Sequence, residues 1–183
     1  MAYGLEVSPR EHVLQLLRAS ELESLPAPRV FVALRPWHGS VSAKDWMDSV
    51  RQSLTDLLLS TGGSVVFVAF DQAADTEGGD DRDVARAIAV RLPHRERVRV
   101  IDVRLTASEM AGTLALADVV VAMRRHAAIF AALSGIPVIG LAYDDKVRYA
   151  LEELGQSRYC LPLDVTHQKM TSTVRLEIGR AHV

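Results

Sequence analysis

The chain has 183 residues, of which 49% are hydrophobic and 24% are charged, and this composition excludes a disordered protein. Its formal net charge is -2 at pH 7, so there is no overall positive field that would favour nucleic acid or an anionic membrane as a partner. A single cysteine excludes a disulfide framework and a cysteine-based zinc site within the chain. No stretch approaches the ~20 apolar residues of a transmembrane helix, so no membrane span is predicted.

Short apolar runs alternate with amphipathic segments along most of the chain. Residues 1–28 contain a helical stretch and a proline-bearing linker, and we interpret them as a connector or as the helical remnant of another element. Apolar runs then predict buried strands, with a further short strand at 159–161. The predicted strands are 30–34, 65–70, 98–103, 119–122 and 137–141.

Helices are predicted between these strands. Two of them begin at residues with capping-box spacing, Ser42 with Asp45 and Thr106 with Glu109. Strands that are apolar on both faces and alternate with helices indicate a parallel sheet covered on both sides. The sequence therefore predicts an α/β fold over residues 29–163, with a doubly wound, mostly parallel, Rossmann-like sheet.

The end of the chain follows a different pattern. Residues 164–176 are predicted to form a C-terminal helix or tail. Residues 177–183, EIGRAHV, match one reading frame of a common sequencing adapter. We expect this last segment to be non-native, and we assign no function to it.

Polar residues follow the carboxyl ends of the predicted strands, where an open α/β sheet binds its ligands. Arg35 follows the first strand, and Arg124, Arg125 and His126 follow the fourth, directly before an apolar helix. The positive end of that helix favours anions, and arginine binds phosphate and carboxylate with two parallel hydrogen bonds. The pattern predicts an anion site in which His126 donates a hydrogen bond or a proton. The alternative is a pair of solvated arginines and a histidine that only caps or packs.

Other polar groups carry weaker signals. Asp144 is typical of a helix cap and Lys146 of a solvated side chain. The acidic segment 71–83 lacks the residue order of a calcium loop, so we interpret it as a solvated, mobile loop. Trp37 is equally compatible with a pocket wall and with the core. The histidines lack ligand spacing, so no metal is predicted. No glycine-rich phosphate loop follows the first strand, which disfavours dinucleotide or Walker-type nucleotide binding.

Three blocks of the sequence resemble the polysaccharide pyruvyl transferase family. Residues 117–140, ADVVVAMRRHAAIFAALSGIPVIG, are similar to the family's block of a strand, Arg-Leu-His, a helix and a second strand. Residues 143–147, YDDKV, match the segment that follows it, and residues 34–37, LRPW, match an earlier strand end. Arg125 departs from the pattern, because it stands where the family has leucine. The family has two Rossmann-like domains, as B-type glycosyltransferases have, and the resemblance covers only the C-terminal one.

The resemblance implies transfer of a pyruvyl group from phosphoenolpyruvate to a sugar, or to a lipid-linked saccharide, of a cell-wall or exopolysaccharide unit. The product would be a pyruvate ketal. Arg35, Arg124 and His126 would hold the phosphate and carboxylate of the donor, with Arg125 and Lys146 as further donor-binding candidates. His126 is also the candidate catalytic acid. Phosphoenolpyruvate is a co-substrate in this chemistry, and neither a metal nor a resident cofactor is expected.

The resemblance also implies a pocket wall and a missing partner. Trp37, Gln72 and Tyr143 are candidates for the wall, and the family places an acidic residue in a position that one of residues 80–83 would fill. The N-terminal domain on the acceptor side is missing, so we expect donor binding without turnover. The alternatives are the donor domain of a nucleotide-sugar glycosyltransferase and a non-catalytic anion-binding fragment. The implied location is the cytoplasm, where the acceptor could bring the protein to the inner face of the membrane.

Overall fold

Six parallel strands form one sheet in the computed structural model, which describes residues 4–39, 41–72 and 79–181. Five of the strands are short runs rich in β-branched residues, and the last one along the chain is the three-residue run Cys-Leu-Pro. The strands are β1 Arg29–Ala33, β2 Ser64–Val68, β3 Val98–Ile101, β4 Val119–Ala122, β5 Val138–Ala142 and β6 Cys160–Pro162. They lie in the order β3-β2-β1-β4-β5-β6, and all five pairings are parallel. The predicted Rossmann-like α/β fold is confirmed.

Helices cover both faces of the sheet. The α-helices among the described residues are α1 Arg10–Leu16, α2 Ala43–Thr61, α3 Asp81–Ala89, α4 Ala107–Leu114, α5 Arg125–Leu133, α6 Asp145–Glu153 and α7 His167–Ala181. One face of the sheet packs against α2, α3 and α7, and the other packs against α1, α4, α5 and α6. Along β1, Val30 and Val32 belong to the first layer, whereas Phe31 and Ala33 belong to the second. Burial on both faces explains why the strands have no polar alternation.

The strand order reverses between β1 and β4. The chain winds outward from β1 through β2 to β3, then returns to place β4 on the other side of β1, with Val30 beside Val119. Open α/β sheets bind ligands at this kind of reversal, in the crevice beyond the carboxyl ends of the strands. The topology therefore brings the residues after β1 next to those after β4.

The two ends of the chain both pack on this sheet. The segment before β1 contributes Val13, Leu17, Leu22 and Leu25 to the buried second layer. Helix α7 packs against α2 on the opposite face. Its helical structure extends through residues 177–181, and the non-native origin of residues 177–183 stays a prediction.

Capping shows how far local sequence controls helix starts. The predicted box at Thr106 is confirmed: its hydroxyl accepts from the Glu109 N–H at 3.3 Å, and Glu109 accepts from the Thr106 N–H at 2.8 Å. The backbone N–H and the hydroxyl of Thr106 both donate to the Glu109 carboxylate, and together with His12 they lower the pKa of Glu109 to about 2. The box predicted at Ser42 is wrong, because that side chain makes no capping bond. Ser42 and Asp45 are exposed, so water can accept hydrogen bonds from the first backbone N–H groups of the helix.

The interpretation of residues 71–83 as a solvated loop is wrong at its end. Asp80 and Asp81 are buried, and α3 begins at Asp81 because Asp80 accepts from the Arg82 N–H at 2.8 Å. Residues 73–78 of this segment lie outside the described residues. In the part of the chain that is described, no helix is long and apolar enough to cross a membrane.

Candidate functional site

A cavity of about 440 Å³ opens beyond the carboxyl ends of β1, β2, β4 and β5, and we call it the cationic cavity. Neighbouring parallel strands end at the same edge of the sheet, which is why residues distant in sequence meet there. The cavity is lined by Arg35, Phe70, Asp71, Arg124, Arg125, His126, Tyr143 and Lys146. All five residues predicted to bind the donor are in this set, together with Tyr143 from the predicted wall.

The charges that line the cationic cavity are unbalanced. Of its described lining residues, four carry a permanent positive charge, and Asp71 is the one carboxylate. Asp71 is near one of the cations, with its Oδ2 at 3.9 Å from Nη2 of Arg124. Because a concave surface with an excess of cations concentrates anions, the lining favours a small ligand with several negative charges.

Arg124 is held by a buried carboxylate. Its Nε donates to Oδ2 of Asp81 at 2.9 Å, and its Nη2 donates to Oδ1 of the same residue. The Asp81 side chain is 1% exposed, and Oδ2 also accepts from the backbone N–H groups of Phe70 at 3.1 Å and Asp71 at 3.0 Å. The pair fixes the plane of the guanidinium and leaves Nη1 outside the ion pair.

Asp81 is a site-supporting residue that the sequence reasoning could not single out. Its burial raises the pKa of the carboxyl, while the hydrogen bonds and charge of Arg124 oppose that shift. The sequence did carry a partial signal for Asp81, because the family pattern places one acidic residue among residues 80–83 without fixing which of them it is. Within this run Asp81 is the residue that pairs with Arg124, and Asp80 pairs with Arg82 instead.

Arg35 reaches the cavity from the end of β1. Its Nη1 donates to the Tyr143 hydroxyl at 2.9 Å, and its guanidinium carbon lies 5.1 Å from the centre of the same ring. The Trp37 ring packs on Tyr143, with 4.8 Å between the two ring centres. Trp37 therefore contacts a lining residue but lies outside the lining itself.

Of two further predicted site residues, Gln72 lies outside the lining of the cationic cavity and Lys146 belongs to it. The Nε2 of Gln72 donates to the Val103 carbonyl at 3.1 Å, which ties the segment after β2 to the segment after β3. Lys146 follows the predicted cap, since its backbone N–H donates to Asp144 at 2.9 Å. Its exposed side chain nevertheless lines the cationic cavity.

His126 is the second residue of α5 and lies at the border of the cationic cavity. Its ring centre is 6.0 Å from that of Phe130. Partial burial lowers the pKa of His126, and the positive charges of Arg125 and Arg124 lower it further. These effects favour the neutral imidazole in the free chain, and a bound anion would shift the balance back towards the imidazolium.

Metal-ligating side chains do not gather here. Within residues 4–39, 41–72 and 79–181, no three residues of the types His, Cys, Asp or Glu are placed to hold a metal ion. The chemistry that the site offers is that of arginine, lysine and imidazole groups around an anion.

Comparisons with known proteins agree with the fold and identify a family. A family model described as polysaccharide pyruvyl transferase matches residues 14–145. No curated protein matches the chain. The structure of E. coli ADP-heptose LPS heptosyltransferase II is similar, with a TM-score of 0.66 and 13% identity over 96% of this chain and 54% of that one.

Two other solved structures are similar at comparable levels. UDP-GlcNAc 2-epimerase of Methanocaldococcus jannaschii, solved with UDP-GlcNAc and UDP, has a TM-score of 0.61 and 12% identity over 92% of this chain and 46% of that one. A family 9 glycosyl transferase of Veillonella parvula has a TM-score of 0.59 and 9% identity over 96% of this chain and 53% of that one. The chain thus spans about half the length of these neighbours, and the likeness concerns the fold alone.

Proposed function

Because the chain belongs to the polysaccharide pyruvyl transferase family, we propose that it binds phosphoenolpyruvate and supplies the donor half of a pyruvyl transferase. The acceptor would be a sugar of a cell-wall or exopolysaccharide unit, and the product a pyruvate ketal. The observation that carries the proposal is the cationic cavity, which gathers Arg35, Arg124, Arg125 and Lys146 around one space. Phosphoenolpyruvate suits it, because its phosphate and carboxylate are joined to the same carbon and need several cations at short range.

In the proposed reaction the chain's cations bind and its imidazole moves a proton. Arg35 and Arg124 hold the phosphate and carboxylate, with Arg125 and Lys146 adding positive charge. Protonated His126 gives its proton to the C3 methylene carbon, and positive charge develops at C2. A sugar hydroxyl adds to C2 and loses its proton. The bond from C2 to the phosphate oxygen then breaks, and a second hydroxyl of the same sugar closes the ketal and loses its own proton.

The balance of this reaction is simple. Phosphoenolpyruvate and a sugar diol give a ketal and inorganic phosphate; one of the two hydroxyl protons restores the imidazolium of His126, and the other goes to the departing phosphate. The oxidation states of the reactants do not change, and the proposal assigns charge stabilisation to the arginines and the lysine and proton transfer to His126, with neither a metal nor a resident cofactor. Tyr143 takes the role of a lining residue that positions Arg35 through its hydroxyl.

The acceptor side of the proposed enzyme lies outside this chain. We assign it to an N-terminal domain that would close over the cationic cavity and bring a sugar or a lipid-linked saccharide. The chain alone is then expected to bind the donor without turnover. We place the complete enzyme in the cytoplasm, where a lipid-linked acceptor would draw it to the inner face of the membrane.

Calorimetric titration with phosphoenolpyruvate tests the proposal. We expect saturable binding that UDP-GlcNAc does not displace. Arg91→Ala serves as the net-charge control for substitutions of the arginines that line the cavity, because Arg91 is exposed and lies outside that lining. Tight binding of UDP-GlcNAc without binding of phosphoenolpyruvate would instead favour the donor domain of a nucleotide-sugar glycosyltransferase. Donor binding that never gives turnover, even with the missing domain restored, would favour a non-catalytic anion-binding fragment.

Donor binding is expected to depend on the protonation of His126. Burial and Arg125 hold the pKa of His126 below its ordinary value in the free chain, and a bound trianion raises it. The contribution of His126 to affinity is therefore fully present below the free-chain pKa. It is lost as the pH rises through the pKa in the complex.

Calorimetry of the wild type and His126→Gln across this pH range checks the expectation. The donor's own phosphate titrates in the same range, but it does so equally for both proteins and cancels in the ratio of their affinities. The affinity of the wild type divided by that of His126→Gln should fall as the pH rises. A ratio that does not change with pH would contradict a protonated His126 in the complex.

A further inference from the structure

We propose that a second, apolar cavity beside His126 is a subsite for the methylene end of the donor, with room for a short alkyl substituent on that carbon. This apolar cavity has a volume of about 260 Å³, and its lining includes Phe70, Leu105, Met110 and Phe130. The identity of the donor rests on the function proposed above. The existence of an apolar subsite next to an anion site can be tested without knowing which donor binds.

The apolar cavity adjoins the cationic cavity. Phe70 and His126 line both of them. The ring centre of Phe130 lies 6.2 Å from that of Phe70 and 6.0 Å from that of His126. Phe70 and His126 therefore form the boundary, with Phe130 behind them on the apolar side, so a ligand in the cationic cavity meets these two rings as well as the arginines.

This division matches the two ends of an enol phosphate. The phosphate and carboxylate are both attached at C2, whereas C3 is an apolar methylene. Charged oxygens against Phe70 and Met110 would lose hydration without gaining partners, which is strongly unfavourable. With the charges on Arg35 and Arg124, C3 lies at the aromatic boundary and next to His126. The same orientation brings the carbon that must be protonated to the group proposed to protonate it.

The size of the apolar cavity exceeds what a methylene needs. A methylene is similar in size to a water molecule, whose share of the liquid volume is about 30 Å³, and the cavity measures about 260 Å³. A donor with an alkyl group on C3 should therefore fit. Each additional methylene that is fully buried strengthens binding by about fourfold.

The test compares phosphoenolpyruvate with its C3-methyl analogue, phosphoenolbutyrate, by calorimetry on the chain as it stands. We expect the wild type to bind the analogue as tightly as phosphoenolpyruvate or up to about fourfold more tightly. Ala107→Leu should fill the apolar cavity, because exposed Ala107 is one of its lining residues and is the first residue of α4. That variant should lose about tenfold in affinity for the analogue and much less for phosphoenolpyruvate.

A matched control is available on another helix. Ala87 is exposed on α3 and lines neither cavity, so Ala87→Leu adds the same side chain without entering the subsite. It should leave both affinities unchanged. The proposal is overturned if the wild type binds phosphoenolpyruvate but rejects the analogue. It is equally overturned if Ala107→Leu changes both affinities to the same extent or changes neither.

Methylphosphonate and butylphosphonate separate a wrong donor from a wrong subsite. Butylphosphonate should bind more tightly than methylphosphonate, and Ala107→Leu should abolish the difference. If neither enol phosphate binds but this pattern is seen, the proposed donor is wrong and the apolar subsite stands. If affinity does not depend on the length of the alkyl group, the proposal of an apolar subsite is wrong whatever the donor is.

Discussion

Replacing Asp81 by alanine is expected to lower the free energy of unfolding by about 3–5 kcal/mol, the usual cost of removing one partner of a buried ion pair. Arg124, whose side chain is 17% exposed, would lose the carboxylate that faces its Nε and Nη2. The backbone N–H groups of Phe70 and Asp71 would lose their acceptor as well. Urea denaturation of the two proteins measures the difference.

Controls for Asp81 distinguish the ion pair from a general effect on α3. Asp83 lies in the same first turn but is exposed, so Asp83→Ala should cost at most about 1 kcal/mol through the helix dipole. If Asp81→Ala does not fold, Asp81→Asn keeps one acceptor oxygen and should lose less. Replacement of both Asp81 and Arg124 by apolar residues should cost less than the two single changes added together, because neither charge is then left unpaired. Equal stability of Asp81→Ala and Asp83→Ala would show that the buried pair contributes nothing.

Replacing Arg35 by alanine is expected to weaken the binding of phosphoenolpyruvate by about 10- to 100-fold, which corresponds to about 1.5–3 kcal/mol for hydrogen bonds to a charged group. Arg35 is held by neutral groups, the Tyr143 hydroxyl and the Pro36 carbonyl. Its removal therefore strands no buried carboxylate, and stability should change by less than about 1 kcal/mol. Arg124→Ala would be a poorer test, because it also leaves Asp81 buried and unpaired.

Two further variants complete the Arg35 experiment. Tyr143→Phe keeps the ring that packs on Trp37 and removes only the hydroxyl that holds Arg35. It should weaken donor binding by about 3- to 10-fold, less than the loss of Arg35 itself, because the hydroxyl only orients a guanidinium that keeps its charge. Arg91→Ala changes the net charge equally and should bind like the wild type. Wild-type affinity in a folded Arg35→Ala protein would remove Arg35 from the donor site.

The fold was predictable because its signals are local. Each strand is a short apolar run, and the capping box at Thr106 and Glu109 depends on residues three positions apart. The same spacing at Ser42 formed no box, since exposed residues can leave the first N–H groups to water. Helix α3 begins at Asp81, inside the segment 71–83 that the sequence predicts as a loop, because Asp80 caps it and Asp81 is buried against Arg124, a partner elsewhere in the chain.

The sequence by itself determined which residues could reach the candidate site. Parallel strands all end at one edge of the sheet, so Arg35, Arg124 and Lys146 had to lie on the same side of the molecule. Periodicity and strand direction are encoded by neighbouring residues, and they do not require knowledge of how the strands are ordered.

Only the tertiary structure decided how these residues are held. The bond between Arg124 and Asp81 joins residues 43 positions apart, and that between Arg35 and Tyr143 joins residues 108 apart. Such contacts follow from the placement of β4 beside β1 and from the packing of α3, which depend on the burial of the whole core. A local pattern can therefore show that a residue is charged. Whether the charge is solvated, paired in the interior or available to a ligand depends on what the folded chain brings against it.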